Sequence, residues 1–301
     1  MKNVIILGAN EGIGYYLAKQ LLENGYNVGI FDINIDNLQE LSTIYPTQLL
    51  TVKCNAESNE DIKSAVNQFI KKFQKIDIAI HNACKCTFDS VENTDEEIYK
   101  EVFDINYFGA LRLTKNVVEY MKKTGGKIIY TSSGVGVMGF TKISPYASSK
   151  GAIESLAKCM NIEYKKYGIT FHIFHPPLTR TKSASPLPVP KEFMADPEKV
   201  GRGLARHINK KSFILCHSLS QKVQTMGCYL FPIKMGKLMS KMTEAYEQDL
   251  KDKQEEAQVK VLKKTYNIQV NYSQTLNKTK VDGIQRTNEM NKRTEKDETE
   301  R

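Results

Sequence analysis

Through residue 216 the chain repeats one alternation, a short β-branched apolar run followed by a longer stretch with helical periodicity. The spacing predicts strands over 3–8, 27–32, 48–53, 76–81, 126–132, 169–175 and 212–216. It predicts helices over 12–24, 36–44, 58–73, 94–123 (two, or one bent), 145–167 and 197–209. Runs such as Val4-Ile5-Ile6-Leu7 are apolar on both faces, and strands joined by helices lie parallel. The expected fold class is therefore α/β, a doubly wound parallel sheet of seven strands in a single domain, 1–216, with a helical C-terminal extension.

Beyond that pattern the chain changes character. Residues 177–196 are proline-rich and read as a mobile loop or lid. Residues 217–250 form a C-terminal helical segment, amphipathic over 219–247 and interrupted at Pro232. Of the last 51 residues, 251–301, 21 are charged, which predicts a loosely helical or disordered tail. With 41% hydrophobic and 26% charged residues the whole is an ordinary globular composition, excluding a collagen, a rod or a wholly disordered chain. The apolar runs are too short for a membrane-spanning helix or a signal-peptide core. Six scattered cysteines predict reduced thiols and a cytoplasmic setting. The net charge of +9 comes without a basic block interleaved with aromatics, so no nucleic-acid partner is expected.

The first helix opens on Gly8-Ala9-Asn10-Glu11-Gly12-Ile13-Gly14. Glycines there make a tight turn and let the backbone approach a pyrophosphate, while the helix N-terminus points free amides at the phosphates. Asp32 ends the second strand 18 residues past Gly14. An acid there accepts hydrogen bonds from the adenosine ribose hydroxyls and repels a 2′-phosphate. No Arg or Lys at 9–11 or 33–35 would receive that phosphate, so NAD is expected over NADP. The plainer alternative is a structural turn beside a surface Asp.

Tyr146 and Lys150 stand four apart at the start of a helix and share a face. Ser133, thirteen residues before Tyr146, ends a strand. A phenol with a pKa near 10 is a poor acid or base at neutral pH. An adjacent ammonium is expected to draw it down, as general acid–base catalysis requires, with the serine hydroxyl steadying the substrate oxygen. On a lysine-rich chain the pair alone could be a surface Tyr and Lys; the upstream glycine turn argues otherwise.

With these residues in view, the sequence resembles the short-chain dehydrogenase/reductase family from residue 2 to about 216. The resemblance implies reversible hydride transfer between NAD(H) and a ketone or secondary alcohol. It makes Asn106, Ser133, Tyr146 and Lys150 the catalytic set, with Asn106 holding a water in a proton relay from Lys150. It assigns cofactor binding to Gly8, Asn10, Glu11, Gly12, Ile13, Gly14, Asp32, Asn55 beside adenine, Asn82, Ala83, Tyr146, Lys150, Pro176 and Thr181. It also implies a homo-oligomer joined through the helices near 97–123 and 145–167. The chain departs from the family pattern at Cys84 and Pro177, where glycine is usual. Pro176-Pro177 looks like the branch containing 3-ketodihydrosphingosine reductases. A long-chain 3-keto-lipid reductase is therefore one alternative, and a non-catalytic NAD(H)-binding regulatory module is another.

Other features are read more plainly. Cys84-Lys85-Cys86 lacks a second Cys/His pair, so no metal is expected. His172 and His175 read as satisfied core histidines, and the sequons at Asn271 and Asn277 carry no weight without a secretory signal. Residues 223–242 alternate apolar side chains with Lys234, Lys237 and Lys241. They read first as a cleft cover or subunit interface and second as a peripheral membrane contact. The run Ser185–Pro190, with Phe193 and Met194, predicts a small-molecule substrate that is apolar.

Overall fold

The computed structural model describes residues 1–299. Glu300 and Arg301 lie outside the described residues, as do the side chains of several positions beyond 264, both sequon asparagines among them.

Seven parallel strands form the sheet: β1 (Asn3–Leu7), β2 (Asn27–Asp32), β3 (Leu49–Lys53), β4 (Ile78–His81), β5 (Gly126–Thr131), β6 (Ile169–Phe174) and β7 (Ile214–Leu215), in the order β3-β2-β1-β4-β5-β6-β7. Alternate side chains point to opposite faces of a strand. Ile5 and Leu7 face a layer containing α3 (Asn59–Phe73), α5 (Gly109–Met121) and α7 (Ser144–Glu163). Val4 and Ile6 face a layer with α1 (Gly12–Glu23) and α8 (Pro197–His207). Both faces being covered is why the strands read as unbroken apolar runs. Each fully buried aliphatic side chain contributes about 1.5–3 kcal/mol, so the sheet is the main store of stability. Order reverses between β1 and β4, and the loops leaving their carboxyl ends diverge to open a crevice.

The short α2 (Gln39–Ile44) follows β2, and the helical span predicted over 94–123 is broken as expected. α4 (Glu96–Phe103) leads through a π turn, Asp104–Phe108, into α5. A π turn widens the hydrogen-bond ladder. Arg112 compensates by donating to the Asp104 carbonyl at 3.1 Å while pairing with the Asp104 carboxylate. The turn carries Asn106 inward, fully buried.

A four-residue helix, α6 (Val135–Met138), precedes α7. Residues 177–196 contain one 3-10 turn, Lys191–Phe193, and their ends are tied together. The Arg180 amide donates to the Ala195 carbonyl and the Ala195 amide to the Leu178 carbonyl, at 2.9 and 2.8 Å. The predicted lid is thus a loop closed at its base.

α9 (Leu219–Leu230) is capped by Ser218, whose hydroxyl accepts from the Gln221 amide. Pro232 opens α10 (Pro232–Thr299), its fixed φ suited to the first helical position. The chain divides into two compact units, residues 1–244 and 245–301. The sequence boundary at 216 falls inside the first, because α9 packs beside α6 and the start of α10 packs on the loop after it. A Cβ on Gly236 would lie 2.4 Å from the Gly139 carbonyl oxygen. The second unit is helical through 299, with i,i+4 pairs such as Lys251–Glu247 and Lys253–Asp249. Among the described residues no helix is long and apolar enough to cross a membrane.

Candidate active site

The crevice at the switch point is a cavity of about 540 Å³, running from the glycine turn past Tyr146 and Lys150 to α9. Gly8 and Gly12 have φ of +92° and +61°, a region costly to residues with a Cβ. A Cβ on Gly8 would stand 2.3 Å from the Ala83 nitrogen, and one on Gly14 2.4 Å from the Gly8 carbonyl oxygen. The turn is therefore drawn flat against the β4 loop, leaving the crevice above it open. Gly12 lies beneath Thr181, whose methyl a Cβ would meet at 3.1 Å.

Asp32 is built into this turn. Its Oδ2 accepts the Asn10 amide at 2.8 Å and its Oδ1 the Asn34 amide at 3.1 Å. Each carboxylate oxygen keeps a further lone pair for a ligand hydroxyl. Glu11 and Ile13 line the same wall, and Asn55 sits across it, its Oδ1 accepting the Glu57 amide at 3.1 Å. Asn82 donates to the Gly8 carbonyl at 2.6 Å and accepts from Thr131 Oγ1 at 3.0 Å, clamping β1, β4 and β5 together. Apart from Gly14, which packs behind the turn on the Gly8 carbonyl, these residues line one cavity with Ala83, Pro176 and Thr181, at the switch point where such sheets bind dinucleotides. Cys84 is exposed at its edge.

Tyr146 and Ser133 both line the cavity, with the Ser133 side chain close enough to act on the phenol. Lys150 follows one turn later, buried, its Nζ 5.4 Å from the Tyr146 ring centroid and donating to the Thr131 carbonyl at 2.7 Å. Asn106 lies behind the pair. Its Nδ2 donates to the Lys85 carbonyl at 3.0 Å and to Ser149 Oγ at 2.9 Å, and its Oδ1 accepts the Lys85 amide at 2.8 Å. Both N–H donors are thus used and Oδ1 keeps a second lone pair; these bonds fix the loop after β4 against α7.

The electrostatics correct one expectation. Burial raises the Tyr146 phenol well above its usual 10.0; Cys84 and Cys86 push the same way, and the Ser133 hydrogen bond opposes them. Burial lowers Lys150. Desolvation thus outweighs the anticipated pull of the ammonium and favours the neutral phenol, the form that can donate a proton. Burial likewise pushes the Cys86 thiol up to about 12, so it is no thiolate. Among the described residues no group of three His, Cys, Asp or Glu could hold a metal.

His172 is a core residue held to about 4 by burial, its Nδ1 against the Ser212 carbonyl at 2.7 Å. Sequence reading missed Thr131 and Ser149, the partners that hold Lys150 and Asn106. It also passed over a buried cluster of Glu154, His175 and Tyr229. Glu154 lies four residues after Lys150 on the same face of α7, and that spacing was the one available signal.

Comparison with known proteins agrees with this architecture. Residues 2–190 match the short chain dehydrogenase family. A 3-ketodihydrosphingosine reductase of Dictyostelium discoideum is 30% identical over 202 residues, 60% of this chain and 60% of that protein. The mitochondrial D-beta-hydroxybutyrate dehydrogenase of Bos taurus is 29% identical over 183 residues, 58% of this chain and 53% of its own. The matched region thus spans between about half and three fifths of these relatives. Among solved structures, a short-chain dehydrogenase from Streptomyces avermitilis superposes with a TM-score of 0.68 at 20% identity, covering 83% of this chain and 98% of that one. A 3-ketoacyl-(acyl-carrier-protein) reductase from Brucella melitensis complexed with NADH gives 0.64 at 19%, covering 72% and 94%. Matched over more than half its length and folded on the same sheet, the chain belongs to the short-chain dehydrogenase family.

Proposed function

We propose that this chain interconverts a ketone and a secondary alcohol with NAD(H) as redox partner. The carrying observation is that Tyr146, Ser133 and Lys150 line the same cavity as the glycine turn and Asp32. The bound nicotinamide cofactor supplies or takes up the hydride. In reduction, Tyr146 gives its proton to the carbonyl oxygen as that oxygen becomes an alkoxide, and Ser133 holds the oxygen by a hydrogen bond. The buried Lys150 ammonium stabilises the phenolate left behind, while the Thr131 carbonyl, accepting from its Nζ, fixes that ammonium in place. Asn106 keeps the loop after β4 in register with α7. Asp32 favours NAD over NADP.

The substrate half of the cavity is lined by Phe88, Met138, Phe140, Leu187 and Met239, which suits an apolar ketone, a long-chain 3-keto-lipid among the candidates. A cytoplasmic, oligomeric enzyme accords with free cysteines and with Phe108 and Tyr120 exposed near α5. NADH fluorescence titration followed by a panel of apolar ketones, sugars and hydroxy acids tests the reading. Saturable binding and oxidation with an apolar ketone are expected; binding without oxidation by any carbonyl would leave the regulatory module in its place.

A second expectation concerns where such a substrate is met. α9 turns Gln221, Thr225 and Cys228 inward and presents Leu219, Val223, Met226 and Leu230 outward, 76, 67, 54 and 64% exposed. Phe231 and Ile233 extend this strip, and Lys222, Lys234, Lys237 and Lys241 flank it with no acid between 219 and 243. Inserting three such side chains at about 1.5–3 kcal/mol each, with about 1 kcal/mol per lysine near an anionic surface, supports micromolar adsorption. Sedimentation with anionic vesicles should carry the full chain down, and Met226→Glu with Leu230→Glu should cut the bound fraction at least tenfold. Equal sedimentation of both proteins rejects the membrane reading.

A further inference from the structure

Glu154 shares one face of α7 with Tyr146 and Lys150, yet proton transfer at Tyr146 makes no use of it. It is 4% exposed. A carboxylate removed from water must have its lone pairs filled or take up a proton. Here three donors converge on it. Ser132 Oγ and His175 Nε2 each lie 2.8 Å from Oε1, and the Tyr229 hydroxyl donates to Oε2. Burial alone would raise the Glu154 pKa; the bonds from His175, Tyr229 and Ser132 outweigh it and hold the carboxyl below its usual range. Burial and the neighbouring Glu154 keep the Tyr229 phenol protonated, so it remains a donor. His175 turns Nε2 to the carboxylate, where a ring N–H donates to Oε1, while Nδ1 lies buried on the far side of the ring.

The three donors come from three different places. Ser132 immediately precedes Ser133 at the end of β5 and also reaches the Lys150 carbonyl at 3.2 Å. His175 immediately precedes Pro176 at the end of β6. Tyr229 alone of the three comes from α9, and its ring lies 5.9 Å from that of His175. The inward residues of α9 line the substrate half of the cavity, with Cys228 Sγ 3.8 Å from Met138 Sδ. Elsewhere the inner face of α9 makes weaker ties, a Gln221–Thr225 bond within the helix at 3.4 Å and a Thr225–Cys216 contact at 3.8 Å.

We propose that Glu154, His175 and Tyr229 form a buried clasp that seats α9 over the substrate half of the cavity, making Tyr229 a positioning residue for substrate binding. No member touches the reacting atoms. The carboxylate gathers the ends of β5 and β6, where Ser133 and Pro176 begin, and fastens the C-terminal wall to the same point. The wall that meets the substrate is thereby registered to the hydroxyls that meet its oxygen.

The kinetic consequence rests on the oxidoreductase reading; the structural one does not. Tyr229→Phe removes one oxygen and keeps the ring, and Glu154→Gln keeps the shape while turning one acceptor into a donor. Hydrogen exchange over residues 219–230 of the full chain reports the seating of α9 directly. Exchange there should quicken at least tenfold in both variants, with strands β1 and β4 unchanged. KM for the carbonyl should rise about tenfold in Tyr229→Phe, while kcat and the NADH dissociation constant stay within twofold. Unchanged exchange over α9 in Tyr229→Phe overturns the clasp, whether or not a substrate has been found. A fall in NADH affinity and kcat together with the rise in KM overturns the positioning role, since the cluster would then support the whole site. If no carbonyl is turned over, the exchange comparison still decides.

Discussion

Tyr146→Phe should lower kcat for carbonyl reduction by about 10³-fold, the scale of a lost general acid, while NADH binds as tightly as before. The substitution removes the phenol hydroxyl from a residue that lines the cavity beside Ser133. It leaves the glycine turn, Asp32 and the Lys150–Thr131 bond untouched. Ser133 can still hold a carbonyl oxygen, but an aliphatic hydroxyl is a far weaker acid than a phenol, so it does not substitute. Because burial raises the Tyr146 phenol, reduction should hold its rate into alkaline pH and fail only where the phenol ionises. Alcohol oxidation needs the phenolate and should climb with pH over the same range. Retention of more than a few per cent of kcat by the variant, with cofactor bound, would remove Tyr146 from the reaction.

Why that phenol behaves as it does was only half legible in the sequence. The spacing of Tyr146 and Lys150 announces a shared helix face, and the glycines at 8, 12 and 14 announce a turn, because both are local constraints. Strand positions were legible for the same reason, since a run such as Val4–Leu7 has no solvent face to hide. Burial raises Tyr146 only in the assembled site, and the other groups that act on it, Cys84, Cys86 and Ser133, lie far from it in sequence. Spacing therefore suggested an ammonium lowering the phenol, where the assembled site lets burial dominate. Asn82 and Asn106 show the same limit. Their positions were predicted as site residues, but the contacts that hold Asn106, to Lys85 on the β4 loop and Ser149 on α7, were not. The Glu154 cluster joins positions 132, 154, 175 and 229, and no periodicity links those four.

Asp32→Asn should shift the ratio of kcat/KM for NADH over NADPH by about 100-fold towards NADPH. A carboxylate some 4–5 Å from a 2′-phosphate repels it by several kcal/mol at an effective dielectric near 20, and partial exposure reduces this to about 2–3 kcal/mol. At 1.4 kcal/mol per decade that is roughly 30- to 150-fold. Asparagine is the informative substitute because the carboxylate has a second duty. Both its oxygens accept backbone amides, Asn10 from the glycine turn and Asn34 from the loop after β2. Asparagine keeps one of those acceptors and removes the charge. Alanine removes both, frees the turn and should weaken both cofactors together with little change in their ratio beyond the charge effect. A ratio unchanged within twofold in Asp32→Asn would mean that the 2′-position lies away from Asp32, and the preference for NAD would lose its basis. If the ratio shifts while NADH affinity falls less than tenfold, charge rather than loop geometry sets the choice of cofactor.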